Sequence, residues 1–280
     1  MKELLIGTSG YDYPEWKGVF YPEEVKRADF LSYYATKFNA LELNFSFYGM
    51  PTAQRMQSFY DRTQGTVAFS VKANRLLTHE VDSSWQTVAQ DFKTAVTPLL
   101  EKDSLSSVLF QFPESFHYTN DNRIYLGKLI NEFQGFPVVV EFRHTEWIKE
   151  SVFEGLEKMH ASLCFCDCPE LKNLPKMNLT SENVFTSPFI GPSAYMRLHG
   201  RNENAWYADN SSEETAQNGS ARYNYDYSNK ELAQFIPTIN AALNDRKILQ
   251  IFFNNHPNGN GAKNALALKN MIQISNLKIF

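Results

Sequence analysis

The chain of 280 residues has no run approaching about 18 consecutive apolar side chains, so a helical membrane span is not expected. Its start, Met1-Lys2-Glu3 passing straight into Leu4-Leu5-Ile6, lacks the apolar core and cleavage site of a secretory signal, and the expected location is the cytoplasm. A basic excess is also missing. The net charge is −4, whereas a dedicated nucleic-acid binder usually carries a positive imbalance. Cysteine is scarce: all three lie in Cys164-Phe165-Cys166-Asp167-Cys168. Three are too few for a disulfide framework, and alternate spacing differs from the turn-spanning spacing of thiolate metal sites. They are expected to be small, reduced, metal-free residues lining a buried strand, with a redox or metal role as the alternative. No Gly-x-Gly-x-x-Gly follows the first apolar segment, where Gly7-Thr8-Ser9-Gly10 has the wrong spacing. No linker, duplication or low-complexity tract divides the chain, and residues 1–280 are expected to form one domain.

What is present is a repeated alternation. Leu41 to Ser46, Val67 to Lys72, Ser107 to Phe112, Val138 to Arg143 and Ala194 to His199 each read as strands with one apolar face. The opposite face ends in polar groups: Glu42, Asn44 and Ser46; Ser70 and Lys72; Gln111; Glu141 and Arg143; Arg197 and His199. If these strands are neighbours, the polar groups converge at their C-terminal ends.

Strands are predicted to begin near Leu4, Ala40, Val67, Ser106, Pro137, Ser162, Ser193 and Ile248. Amphipathic stretches of helical length separate most of them: Asp29–Phe38, Thr52–Arg62, Ser83–Glu101, Asp121–Phe133, Thr145–Met159, Ser228–Leu243 and Ala262–Ile274. Glu170 to Val184 is poor in helical signal. Eight alternating units point to a (β/α)8 barrel, with a doubly wound open sheet as the structural alternative. The barrel also accounts for polar strand ends, because active sites in this fold form at that face. A long loop follows the seventh strand, from His199 to Ser228, with Trp206, Tyr207, Tyr223, Tyr225, Tyr227 and a polar run from Asn210 to Glu214.

Several ordered motifs carry a resemblance. They are Gly7-Thr8-Ser9-Gly10-Tyr11-x-Tyr13-x-x-Trp16-x-Gly18-x-Phe20-Tyr21-Pro22; Glu42-x-Asn44-x-Ser46-Phe47-Tyr48; and Lys72 with Thr78-His79. Further along come Gln111-Phe112-Pro113-x-Ser115-Phe116, Val140 to His144 with Trp147, Arg197-Leu198-His199-Gly200 and Phe253-Asn254-Asn255. Over nearly the whole chain the sequence resembles the bacterial and archaeal family called domain of unknown function 72, or YecE-like. The resemblance implies a TIM barrel and no assigned reaction. It departs at Asp167-Cys168-Pro169, where relatives often have Glu or Ser before the proline, so no acidic or hydroxyl role passes to Cys168.

The expected function is an enzyme acting on a small phosphate- or carboxylate-bearing substrate, a hydrolase or phosphodiesterase ahead of an isomerase or lyase. His199, Glu141, Glu42 and Lys72 are the catalytic candidates, His199 because an imidazole titrates near neutrality. Arg143, Arg197 and Lys72 would hold the anion, and Asn44, Ser46, Gln111, His79, Tyr11, Trp16, Asn254 and Asn255 would line the site. The bland alternative pairs the charges to close the barrel, Glu42 with Lys72 on the adjacent strand. Arg197 is the expected free cation, and its removal should cost little stability. Glu42, Glu141, Asp167, His79 and His199 are suitable metal ligands, but three cations would repel a dication; neither metal nor cofactor is expected. His144 should brace the following helix, while His117, His160 and His256 stand in no motif. The last loop, Asn254 to Ala262, is a weak phosphate-site candidate. The first-loop rings either pack the rim or stack on sugars or bases, so a non-enzymatic nucleic-acid or nucleotide binder is the second hypothesis.

Overall fold

The computed structural model describes residues 3–175, 189–207, 221–246 and 248–274. Strands β1 (Glu3–Ser9), β2 (Ala40–Leu43), β3 (Ala68–Lys72), β4 (Leu105–Gln111), β5 (Val138–Glu141), β6 (Ser162–Asp167), β7 (Ala194–Leu198) and β8 (Ile248–Phe253) pair in chain order, all parallel. β8 pairs back with β1 from Glu3↔Ile248 to Thr8↔Phe253, so the sheet closes into a barrel and the open-sheet alternative is excluded. The helices among the described residues are α1 (Phe30–Ala35), α2 (Phe45–Tyr48), α3 (Ala53–Arg62), α4 (Trp85–Leu100), α5 (Asn120–Glu132), α6 (Glu150–Lys158), α7 (Asn229–Asp245) and α8 (Asn260–Ile274). None of the described helices is long and apolar enough to cross a membrane.

Local chemistry sets the element boundaries. Thr52 caps α3 through the Arg55 N–H, and Thr119 caps α5 through that of Asn122. Ser228 and Glu231 form a reciprocal capping box at α7. The helix expected over 145–159 is split: a 3-10 turn covers Thr145–Trp147, and extended backbone at Lys149 separates it from α6. His144 caps that turn by accepting from the Glu146 N–H, the bracing role expected of it. Strand β2 stops at Leu43, short of the expected Ser46, because the chain turns into α2 and Ser46 Oγ bonds the Lys72 carbonyl (2.6 Å). The helix-poor segment Glu170–Val184 lies partly, and the Asn210–Glu214 run wholly, outside the described residues.

Strand alternation sorts the core into two parts. Leu41, Leu43, Val138, Val140, Met196 and Leu198 face the helices in one large cluster. Leu5, Ala40, Leu109, Val139, Cys164, Cys166, Tyr195 and Phe252 form a smaller cluster inside the barrel. Cys164 and Cys166 are therefore buried interior residues, with free thiols and sulfurs 3.7 Å apart. Gly7 is required on β1 because a Cβ there would strike the Ala40 carbonyl and the Tyr34 hydroxyl. That hydroxyl accepts from Thr8 N–H (2.8 Å) and donates to Ala40 O (2.8 Å), fastening α1 to the barrel.

Candidate functional site

The charged residues expected at the strand ends point inward, as the alternation requires, and their register arranges them in layers. Glu42 is level with Ser70, while Lys72 lies two residues further along β3. Arg197 occupies the centre. Its Nη1 donates to Glu141 Oε2 and its Nη2 to Glu42 Oε1, both at 2.6 Å, and its Nε has no partner among the described residues. Both carboxylates are 0% exposed and Arg197 is 2% exposed. One guanidinium thus ties β7 to β2 and β5 across the barrel. Burial works against the Arg197 charge, but Glu141 and Glu42 outweigh it and hold its pKa well above the usual arginine value. Burial would likewise raise the Glu141 carboxyl, yet Arg143 and Arg197 hold it well below the usual range.

Beneath this bridge runs a neutral hydroxyl network. Tyr195 donates to Glu42 Oε2 (2.8 Å) and meets Ser70 Oγ (2.7 Å), and Ser107 donates to Ser70 (2.8 Å). Gln250 Oε1 lies 3.3 Å from Ser107 Oγ. Burial, then the Glu42 charge, raises the Tyr195 pKa well above the phenol value, so its hydroxyl remains a donor. Tyr195, Ser107 and Gln250 were not among the expected site residues. The signal was present in the sequence, since each shares the inward phase of Arg197, Gln111 or Asn254.

Above the bridge lie the groups nearest solvent. Arg143 Nε is paired with Glu141 Oε1, and its Nη2 meets His199 Nε2 at 3.1 Å. Because a guanidinium only donates, His199 Nε2 accepts from Arg143, while its Nδ1 lies 3.0 Å from the Asn254 amide nitrogen. Burial and the neighbouring Arg143 push the His199 pKa down to about 3. At neutral pH it is therefore an uncharged, fully buried ring, poorly suited to the general-acid role expected from the unperturbed value.

Lys72 is half-buried, its Nζ 2.8 Å from Gln111 Oε1 and 4.1 Å from the Phe47 ring centroid. The expected Glu42–Lys72 pair does not form: Glu42 is engaged by Arg197 and Tyr195, and Lys72 sits a layer higher. Burial first, then repulsion by Arg197, lowers the Lys72 pKa from 10.5 to about 7. His79 is exposed beside it, edge-on to Phe47 at 4.8 Å and bonded to Thr78 Oγ1 (2.9 Å).

The remaining expected site residues divide between mouth and frame. Asn44 is half-buried, with its Oδ1 unpartnered among the described residues. Ser46 is buried and bound to backbone. Trp16 is 0% exposed and donates to the His256 carbonyl (2.8 Å), which joins the first loop to the last. Tyr11 is half-buried, and its carbonyl accepts from Tyr21 OH (2.6 Å). Asn255 is buried, donating to Tyr225 O (2.8 Å) and Asn264 Oδ1 (2.7 Å), so it fastens the seventh loop to α8. Clefts of about 410 and 370 Å³ lie away from the mouth, between α4 and α5 and beside the ends of α5 and α6. Donor atoms of Glu141, Cys166 and His199 lie within 4.8 Å of one another, but two guanidiniums already contact Glu141 or His199 there.

The family model described as "Protein of unknown function DUF72" matches residues 5–279. The chain is 27% identical over 284 residues to the UPF0759 protein YunF of Bacillus subtilis (strain 168), covering 97% of this chain and 95% of that protein. It is similar to a DUF72 family protein of Thermotoga maritima MSB8 (31% identity, TM-score 0.83, 97% of this chain and 99% of that one). A DUF72 family protein of Enterococcus faecalis V583 shares the fold at 22% identity, with a TM-score of 0.81 over 96% of this chain and 95% of that one. A match from the first barrel strand to the penultimate residue, together with these relatives, establishes that the chain belongs to the DUF72 family.

Proposed function

We propose that the C-terminal mouth of the barrel is an active site for a small anionic substrate bearing a phosphate or carboxylate. The observation that carries this reading is a charge imbalance. Among the described residues, Lys72, Arg143 and Arg197 face Glu42 and Glu141, so three basic side chains meet two carboxylates, while His199 is neutral. The surplus falls on Lys72, whose direct polar partner is an amide oxygen and which sits nearer solvent than Arg197. Ser9 Oγ, Asn44 Oδ1 and Arg197 Nε, on the same side of the barrel, find no partner among the described residues. Arg197 holds the frame; Lys72 and Arg143 meet the anion.

An amine that titrates near neutrality can accept a proton from water or from substrate, and Arg143 can stabilise the negative charge that develops. A hydrolase, including a phosphodiesterase, is the subclass we favour; an isomerase or lyase would use the same groups. The nucleic-acid or nucleotide reading draws less support, because the fully buried Trp16 offers no face to a base.

The test exploits linkage. An anion favours the ammonium form of Lys72, so its affinity should fall as pH rises through about 7, and binding on the alkaline side should take up protons. Calorimetric titration with sulfate and acetate, neither of which titrates near pH 7, in buffers of different ionisation enthalpy measures both, and Lys72→Met should abolish the pH dependence. Absence of saturable binding, or an affinity indifferent to pH in the unsubstituted protein, would overturn the proposal.

A further inference from the structure

The loops after β4 and β5 meet at the rim of the barrel and bring together three side chains that the charged mouth does not use. His117 comes from the first loop, and His144 and Glu146 from the second. His117 Nδ1 lies 3.2 Å and His144 Nδ1 3.7 Å from Glu146 Oε2, and the two ring centroids are 4.7 Å apart. Donors about 2.0–2.1 Å from a tetrahedral ion stand about 3.3–3.4 Å from one another. Two of the three edges are thus close to coordination length. One donor atom from each residue lies within 4.8 Å of the others, so small ring rotations would complete the third.

The frame behind these groups is firm. Phe116 and Trp147 stack with centroids 5.0 Å apart and planes 3° apart, and the Trp147 indole donates to the Phe116 carbonyl. That clamp joins the two loops one residue from His117 and one from Glu146. Asn122 Nδ2 holds the His117 carbonyl (2.9 Å), and the Tyr118 N–H orients Glu146 Oε2 (3.1 Å). His144 is buried while His117 and Glu146 are exposed, which leaves an entry path. Two imidazoles and a carboxylate suit zinc, nickel or cobalt, whereas magnesium and calcium favour all-oxygen sets. Unlike the Glu141–Cys166–His199 cluster, this one touches no guanidinium among the described residues.

We propose that His117, His144 and Glu146 bind one divalent transition-metal ion of the zinc class, with a fourth position open to solvent or to a ligand at the barrel rim. The ion would take over the His144 Nδ1 lone pair, which otherwise receives a 3.2 Å contact from the Glu146 N–H.

The test is titration of chelator-treated protein with Zn²⁺, followed by calorimetry, and with Co²⁺, followed by visible absorption. One saturable site per chain is expected. Loss of an outer-shell partner alone weakens metal sites about 10–100-fold, so His117→Ala and Glu146→Ala should each cost at least tenfold in affinity. Both residues are exposed, and an unchanged Tm in each variant establishes that it folds. Cys166→Ser should leave binding unaltered, and the Co²⁺ spectrum should lack a thiolate charge-transfer band. No saturable Zn²⁺ binding, binding that survives both single variants, or a thiolate band lost in Cys166→Ser would each overturn the assignment.

Discussion

Arg197 illustrates how little a residue's type says about its job. Read along β7, it is an inward arginine beside a histidine, suited to capturing an anion at modest structural cost. In the barrel, its two terminal nitrogens are committed to Glu42 and Glu141, and all three side chains are buried. Removing one partner of a buried ion pair costs about 3–5 kcal/mol; here Glu141 would keep Arg143, while Glu42 would be left with the Tyr195 hydroxyl and no counter-ion among the described residues. Arg197→Ala should therefore lose at least that much stability in urea denaturation, while Arg197→Lys, a point donor that cannot fork to both carboxylates, should fall between. A loss under about 1 kcal/mol would show that the bridge is dispensable and return Arg197 to the ligand. His199 makes the same point by another route. Its identity suggests titration near neutrality, but burial and Arg143 remove that property.

At the scale of elements, the loop after β7 is organised by a few polar anchors. Gly200 has φ +88°, and a Cβ there would collide with Tyr225, so the turn out of the strand requires glycine. Its N–H donates to Tyr227 OH (2.8 Å), which in turn donates to Asp167 Oδ2 (2.6 Å), while Arg201 binds the other Asp167 oxygen (2.8 Å). The described ends of the loop are thus sewn to β6. Tyr227→Phe leaves the buried Gly200 N–H unsatisfied, and such a group costs about 1–3 kcal/mol. Denaturation should show that loss, and limited proteolysis should cut the loop faster. Equal cleavage of the two proteins would mean that the anchor does not hold it. Length and tyrosine content mark this loop in the sequence. Alternation continues to Ser46, but β2 ends at Leu43, and a side chain bonding backbone accompanies the turn into a short helix.

For the whole molecule, closure is the decisive property. With β8 paired to β1, no strand is an edge, and each has backbone partners on both sides. Native-state hydrogen exchange should therefore protect the amides that pair β1 with β8 as strongly as those of β4. Selective fast exchange in β1 and β8 would indicate an open sheet. Buried networks spanning opposite walls, from Ser107 and Gln250 through Ser70 and Tyr195 to Glu42, support the same closure.

Sequence alone determined the eight strands, most of the helices between them, the barrel and the inward phase of Glu42, Lys72, Glu141, Arg143, Arg197 and His199. Period-two alternation and helical amphipathicity are local properties, written in residues a few positions apart. The partners of those charges were not local. Arg197 meets Glu42 and Glu141 at separations of 155 and 56 residues, and Lys72 meets Gln111 at 39. Those pairings follow from register and layer height, which depend on how neighbouring strands are offset around the barrel. The convergence of His117 with His144 and Glu146 was equally hidden, because it rests on a Phe116–Trp147 stack between two loops. Protonation states came last of all. Dielectric surroundings and charge neighbours exist only once the chain is closed, so tertiary structure alone made Lys72 a titratable amine and His199 a neutral ring.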